Sequence, residues 1–153
     1  MMQQRLAQLG AQEGIQFAFG GKTGNTRDSH RLIQLGKTKS PAMQTRVVEE
    51  LFTAYFEQER DITSRSVLQD CGEKAGLEAA EVKAWLESDR GGPEVDREVA
   101  EAQKDFVTGV PNFTIDGKFE IQGAEDPSAF VEVFEQIEGT GGSRGASRQG
   151  ETC

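Results

Sequence analysis

The chain has 153 residues, of which 35% are hydrophobic and 28% charged, and this composition is typical of a globular protein. It argues against a disordered, collagenous or disulfide-stapled chain. With 26 acidic and 17 basic residues the net charge is −9, which disfavours nucleic acid and anionic membrane surfaces as partners.

The apolar runs and the cysteines indicate in which cellular compartment the protein resides. Charged residues interrupt every apolar run before it reaches the ~20 residues of a membrane-spanning helix. The N-terminal residues lack the basic and apolar regions of a signal peptide. Cys71 and Cys153 lie far apart in the sequence, which fits neither a disulfide framework nor a metal site. We therefore expect a cytoplasmic protein without a bound metal.

The N-terminal part of the chain predicts two helices and a short extended segment. Residues 2–9 place apolar side chains at helical spacing, without a capping residue before them. Residues 15–19 alternate apolar and polar side chains, as a short strand does. After a glycine-rich loop, Asn25 is expected to cap a helix over about 26–37.

Four further helices are predicted in the middle of the chain. Ser40 and Pro41 are typical of an N-cap and a first helical residue, and helical spacing then continues to Phe56. Thr63 is expected to cap the next helix, which stops at Gly76, and two more helices follow. Their apolar stripes predict a helical core that includes the side chains of Phe52, Tyr55, Cys71 and Trp85.

A hairpin and a last helix are predicted near the C-terminus. Asp116 and Gly117 separate two β-like runs, which predicts a hairpin over about 112–122. With a two-residue loop Ile115 lies opposite Lys118, so apolar side chains point from both faces of the hairpin unless a bulge changes the parity. We expect such a hairpin to leave part of its apolar surface exposed. Residues 139–153 lack large apolar side chains and are predicted to be a disordered tail.

These motifs together resemble a known family. Gly109–Phe113, the hairpin and the last helix resemble the C-terminal half of a thioredoxin fold, in which the Val110–Pro111 bond is cis. The preceding helices, with the stretch GGKTGNTRDSHRL, resemble the helical insertion of DsbA-like proteins. They are most similar to the cytosolic branch of polyketide-biosynthesis-type dithiol–disulfide isomerases.

The resemblance covers about residues 1–138. It implies an α+β fold derived from an α/β parent fold, with a helical insertion over about 1–107 and a thioredoxin half over about 108–138.

The resemblance also implies a function. The family exchanges thiols and disulfides through a mixed disulfide, and its substrates are thiol or disulfide peptides or small molecules. No resident cofactor is implied, although glutathione is a possible co-reactant of the parent family. The backbone of Val110 and the ring of Pro111 would receive an extended substrate. Asn25 and His30 would lie near the groove, although helix capping by Asn25 and a capping or surface role of His30 are the preferred explanations of these two residues.

The chain departs from the family pattern in its cysteines. The family begins with a strand and a Cys-x-x-Cys at a helix N-terminus, whereas this sequence contains no Cys-x-x-Cys. We expect a chain truncated before the first βαβ unit, through either a gene start at an internal methionine or a genuine short form, and inactive by itself. Cys71 is read as a buried structural cysteine, and Cys153 as an exposed thiol in the tail.

Two alternatives to the disulfide oxidoreductase remain open. One is a relative of the glutathione-dependent isomerases of the 2-hydroxychromene-2-carboxylate type, which share the fold. The other is a non-enzymatic helical binding module, which could self-associate through the unpaired hairpin.

Overall fold

The computed structural model describes residues 2–105, 107 and 109–141, and the chain divides into two compact units at residue 100. The first unit is helical. Its elements are α1 (Met2–Gln12), α2 (Arg27–Lys39), α3 (Pro41–Phe52), α4 (Arg65–Ala75), α5 (Ala79–Glu87) and most of α6 (Gly92–Lys104).

The second unit contains a hairpin and a helix. It is built from the end of α6, strands β1 (Asn112–Ile115) and β2 (Phe119–Gln122), and α7 (Pro127–Gly141). The described residues thus form a helix-dominated α+β structure with a small two-stranded sheet, in agreement with the predicted fold class. Helix α7 includes the first residues of the predicted tail, and residues 142–153 lie outside the described part of the chain.

The core of the first unit is formed by α2 to α5. Each of these helices turns one apolar stripe inward, as the sequence spacing predicts. Trp85 and Cys71 are buried there, which confirms two of the four core assignments made above. The cluster consists of Leu32, Leu35, Val47, Leu51, Ala54, Leu68, Cys71, Ala75, Leu77, Val82, Trp85 and Leu86.

Two helix boundaries form as the sequence predicts. The hydroxyl oxygen of Ser40 accepts a hydrogen bond from the backbone N–H of Met43 at 3.0 Å, and Pro41 is the first residue of α3. Helix α4 ends at Gly76, whose φ of 102° lies in the left-handed region that favours glycine.

Two other helices begin later than predicted. Thr26 is the N-cap residue of α2, while the side-chain oxygen of Asn25 accepts a hydrogen bond from the first backbone N–H of α2 at 2.9 Å. Ser64 is the N-cap residue of α4. Thr63 is not the cap because its hydroxyl group donates a hydrogen bond to the Asp61 carboxylate. Short polar side chains before a helix often form such local turns.

Helix α3 does not continue to Phe56 as a regular helix. The chain widens into one π turn over Thr53–Glu57, and the backbone N–H of Gln58 donates to the carbonyl oxygen of Thr53 at 3.1 Å. The extra residue in this turn shifts the register of the apolar stripe. Phe52 comes before this turn and lies beside the buried stripe of Val47, Leu51 and Ala54, where it is 58% exposed, so its predicted place in the core is wrong. Tyr55, within the turn, is only half-buried.

The alternating segment at residues 15–19 does not form a strand. It runs beside the π turn, where the backbone N–H of Ala18 donates to the carbonyl oxygen of Phe56 at 2.8 Å. The Glu59 carboxylate accepts a hydrogen bond from the backbone N–H of Gly20 at 2.6 Å. Side-chain acceptors therefore take the place of the neighbouring strand that the alternation suggested.

Ion pairs attach α6 to α2. The guanidinium of Arg27 donates to both carboxylate oxygens of Asp96, at 2.8 and 2.9 Å, and the ammonium of Lys37 donates to Glu98 at 2.9 Å. Val95 is the buried apolar residue of α6. This helix is therefore held largely by charge, unlike the four helices of the core.

The hairpin loop contains one residue more than predicted. Asp116 and Gly117 adopt φ values of 52° and 64°, and the backbone N–H of Lys118 donates to the carbonyl oxygen of Ile115 at 3.1 Å. Lys118 is the extra residue, so Ile115 lies opposite Phe119. The bulge therefore changes the parity of the second strand.

The register places the large apolar side chains of the hairpin on one face. Phe113 lies opposite Ile121, and directly opposed residues share a face of a sheet. The expectation of a hairpin that is apolar on both faces is therefore wrong. Ile121 is 7% exposed, whereas Phe113 is 39% exposed and packs edge-on against Phe130 of α7, with 5.0 Å between the ring centroids.

Candidate functional site

The turn before β1 presents one apolar residue to solvent. Val110 is 90% exposed, and its peptide bond to Pro111 is cis. The carbonyl oxygen of Pro111 accepts a hydrogen bond from the backbone N–H of Gly123 at 2.8 Å, which ties the start of β1 to the end of β2. The hairpin thus holds the Val110–Pro111 turn in place.

The backbone beside this turn has free hydrogen-bonding capacity. Within the described residues the sheet contains two strands, so each strand has one edge without a strand partner. An edge of this kind can accept an extended segment through backbone hydrogen bonds. The turn and the edge together form a site for an extended backbone rather than a pocket for a compact ligand.

Asn25 and His30 lie at the first turn of α2, in the first unit. The side chain of Asn25 is occupied as an acceptor for the start of α2. The imidazole Nδ1 of His30 lies 2.8 Å from the carbonyl oxygen of Thr26 and must donate its hydrogen to it, which leaves Nε2 on the exposed side of the ring. Both residues therefore have local structural roles at the same helix end.

A buried arginine follows this turn, and the sequence patterns did not single it out. Arg31 is 2% exposed, and its guanidinium donates to the carbonyl oxygens of Trp85 at 2.8 Å, Arg90 at 3.0 Å and Ser88, and to the Asp28 carboxylate at 2.7 Å. These carbonyls end α5 and begin the loop after it. A buried guanidinium requires such acceptors. The sequence offered no clear signal, because of its neighbours one helical turn away, Arg27, Asp28, Gln34 and Leu35, only Leu35 is apolar.

An open apolar cleft of about 410 Å³ lies between α1 and the π turn. Its walls include the aromatic rings of Phe17, Phe19, Tyr55 and Phe56, together with Leu6. The rings of Phe17 and Phe56 meet edge-to-face at 5.9 Å. Periodicity could not reveal this cleft, because the π turn and the unpaired segment at 15–19 create it jointly.

Cys71, the cysteine that the structure describes, belongs to the helical core. Cys71 is buried, and its Sγ lies 3.8 Å from the carbonyl oxygen of Glu50. Desolvation raises the pKa of the Cys71 thiol, whereas the thiolate is the form that attacks a disulfide. This confirms its assignment as a structural cysteine. Cys153 lies outside the described residues.

The described part of the chain, residues 2–105, 107 and 109–141, offers neither a metal site nor a membrane-spanning helix. No group of three or more His, Cys, Asp or Glu side chains in this part of the chain could hold a metal ion. No helix in it is long and apolar enough to cross a membrane.

The comparisons with known proteins identify a family. A search of the curated proteins finds no match for the chain. Residues 1–135 match the family model described as a DSBA-like thioredoxin domain, and this range includes the helices of the first unit, the Val110–Pro111 turn and the hairpin. Since the match spans most of the 153 residues, the chain belongs to the DSBA-like thioredoxin domain family.

Proposed function

We propose that this chain carries the substrate-binding side of a thiol–disulfide oxidoreductase or isomerase, and that its 153 residues do not catalyse exchange by themselves. Family membership supports thiol–disulfide chemistry. One observation carries the proposal. The exposed Val110–Pro111 turn is present, while the sequence lacks a Cys-x-x-Cys.

The proposed substrate is an extended peptide, or a small molecule, that bears a thiol or a disulfide. It would bind at the Val110–Pro111 turn, where the backbone of Val110 is open to solvent. Hydrogen bonds along the free edge of β1 would hold a peptide irrespective of most of its side chains. Asn25 and His30 remain weaker candidates for the groove, because both are engaged in holding the start of α2.

The chemical step explains the expected lack of activity. A thiolate attacks one sulfur of a disulfide, a mixed disulfide forms, and the other sulfur leaves as a thiolate. Burial keeps Cys71 protonated and out of reach of a substrate disulfide. We assign Cys153 no role in exchange, because Cys71, the other cysteine of the sequence, lies far from it along the chain.

The more detailed parts of the proposal rest on the sequence and on the family resemblance described above. They are the cytosolic isomerase branch, a cytoplasmic location, and a helical insertion over about 1–107 joined to a thioredoxin half over about 108–138. Glutathione would enter only as a co-reactant. The second candidate function is a non-enzymatic binding module, and the free edges of the hairpin favour it, since they can pair with a partner strand or with another hairpin.

Insulin reduction by dithiothreitol tests the proposal. We expect the purified chain to show no rate above the buffer blank, and the Cys71→Ser and Cys153→Ser variants to show the same. Activity that disappears in Cys71→Ser would overturn the proposal. Activity lost in Cys153→Ser alone would instead indicate a nonspecific exposed thiol.

A gain-of-function experiment separates the two candidate functions. A strand–helix–strand unit with a Cys-x-x-Cys at its helix N-terminus is fused ahead of Met1. The oxidoreductase proposal predicts insulin reduction by this fusion, and loss of that activity when both added cysteines are replaced by serine. A folded fusion without activity would favour the binding module.

A further inference from the structure

Six large apolar side chains of the first unit are exposed to solvent near α1. We call them the α1 surface. Their exposed fractions range from 40% to 79%, whereas side chains of this kind in the core of the same unit are almost completely buried. The members are Met2, Leu6, Leu9, Phe19, Phe52 and Phe56.

The six side chains form one continuous surface. Met2, Leu6 and Leu9 follow one another at helical spacing along a single face of α1. Leu6 lines the apolar cleft together with Phe19 and Phe56. The ring of Phe52 continues the surface, since its centroid lies 5.6 Å from that of Phe56. Contiguous exposed apolar surface of this kind typically marks an interaction site.

Helix α1 packs against the segment at residues 15–17 through Gly10. Gly10 is buried, and a Cβ atom at this position would lie 2.5 Å from a ring carbon of Phe17. Gly10 therefore allows close contact between α1 and the segment that carries Phe17. Leu6 precedes Gly10 by four residues and borders this contact, whereas Met2 and Leu9 lie farther from it around the helix, and all three side chains stay exposed.

The size of the α1 surface suits a partner protein. At these exposures, side chains whose full areas are on the order of 150–250 Å² leave roughly 600 Å² accessible, close to the ~800 Å² that each partner contributes to a standard interface. The cleft alone is much smaller than this surface. An occupant that covers the whole surface must therefore be macromolecular.

The charge of α1 indicates a second copy of the chain as the partner. The protein carries a net charge of −9, so two copies repel each other over most of their surface. Arg5 is the one charged residue of α1, and the remaining polar positions of this helix are glutamines. Two copies can therefore bring their α1 helices together without placing carboxylates of α1 opposite each other.

We propose that the α1 surface is a homodimer interface with two-fold symmetry. The two α1 helices pack antiparallel, each Leu6 lies near its own counterpart, and Met2 of one copy lies near Leu9 of the other. An isologous contact of this kind is the usual way in which identical chains associate. Phe19, Phe52 and Phe56 form the sides of the contact. This interface is distinct from the hairpin edges considered above.

Sedimentation of the full chain tests the proposal. We expect a mass of about twice 16.7 kDa at tens of micromolar, with a dissociation constant on the order of micromolar for an interface of this size. The Leu6→Glu/Leu9→Glu variant should sediment as a monomer with an unchanged circular dichroism spectrum. Gln4→Glu/Gln8→Glu is the matched control, because it adds the same charge on the opposite face and should remain dimeric.

Disulfide trapping tests the geometry even if the double variant fails to fold. In a Cys153→Ser background, where Cys71 is buried, Leu6→Cys should form a cross-linked dimer on mild oxidation. Gln4→Cys, on the opposite face, should remain uncross-linked. The reverse pattern, or equal cross-linking of both variants, would overturn the antiparallel arrangement.

Other results would assign a different occupant and overturn the proposal. A chain that remains monomeric at every concentration, but binds an apolar dye that Leu6→Glu/Leu9→Glu abolishes, would make the cleft a small-molecule site. A dimer that persists in Leu6→Glu/Leu9→Glu but is lost in Phe113→Glu would place self-association at the hairpin. If the control Gln4→Glu/Gln8→Glu dissociates as fully as Leu6→Glu/Leu9→Glu, the added charge alone explains the loss of the dimer, and the α1 surface is not the interface.

Discussion

Arg31 shows how a single charged residue can organise a helical unit. Its guanidinium is buried and satisfies carbonyl oxygens at the end of α5, and in return the indole N–H of Trp85 donates to the carbonyl oxygen of Arg31 at 2.9 Å. Each of the two side chains thus donates to the backbone carbonyl oxygen of the other residue, and this pair of hydrogen bonds connects α2 to α5. A charge can remain at this depth because each of the three guanidinium nitrogens donates to an acceptor.

Replacement of Arg31 should destabilise the chain strongly. In Arg31→Met the carbonyl oxygens of Trp85 and Arg90 and the Asp28 carboxylate lose their donor, and we expect a loss of about 3 kcal/mol in the free energy of unfolding. Urea denaturation followed by circular dichroism measures it. Arg46→Met, at an exposed position of α3, is the control and should change stability little. Equal effects of the two replacements would contradict the role of Arg31.

At the scale of elements, one residue decides which face of the hairpin is apolar. The side chains of a strand alternate with a period of two, so an extra residue in the loop moves every following side chain to the other face. Because Lys118 is that residue, Phe119 and Ile121 join Phe113 and Ile115 on one face. The hairpin can then pack against α7 as a one-sided sheet.

Deletion of Lys118 should therefore disrupt the hairpin more than any substitution at the same place. The deletion would move Ile121 out of its buried position, and full burial of such a side chain contributes about 1.5–3 kcal/mol. Amide hydrogen exchange of β1 and β2, measured by NMR, should show lost protection. Lys118→Gly keeps the loop length and should retain protection. A deletion variant as protected as Lys118→Gly would contradict the register.

At the scale of the whole chain, acidic residues outnumber basic ones, and several of the carboxylates form ion pairs with basic side chains of other segments. Arg27 lowers the pKa of Asp96, Lys37 that of Glu98, and Arg60 that of Asp70, in each case chiefly through a hydrogen bond to the carboxylate. Exposed pairs of this kind contribute little individually. Together they attach α6 to α2 and join α4 to the segment after the π turn.

These lowered pKa values predict acid sensitivity. A carboxylate whose pKa is lower in the folded state contributes stability above its unfolded pKa, about 3.9 for Asp and 4.3 for Glu, and this contribution is lost as the pH falls below that value. We expect the urea midpoint to fall as the pH is lowered from 5 towards 3. The fall should be smaller in Asp96→Asn than in Glu49→Gln, which removes an exposed carboxylate outside these pairs. A midpoint that rises below pH 4 would contradict the prediction.

Much of the fold could be predicted from local sequence, and part of the candidate site from the family resemblance. Helix-start residues such as Ser40 and Pro41, the glycine at the end of α4, and the Asp116-Gly117 turn act through the backbone within a few residues. The helical core follows from apolar spacing, because a helix repeats regularly enough for periodicity to identify its inner face. The cis Val110–Pro111 turn was expected from the family resemblance and not from local sequence, because few X-Pro bonds are cis.

Only the tertiary structure decided the remaining features, because each of them depends on residues that are distant in the sequence. The π turn at 53–57 leaves Phe56 at the surface, and carboxylates on and after that turn replace the strand partner expected for residues 15–19. Arg31 became a core residue because acceptors more than fifty positions away surround it. Local sequence thus determined where the helices and the hairpin form, whereas long-range contacts decided which of their faces remained open to a partner.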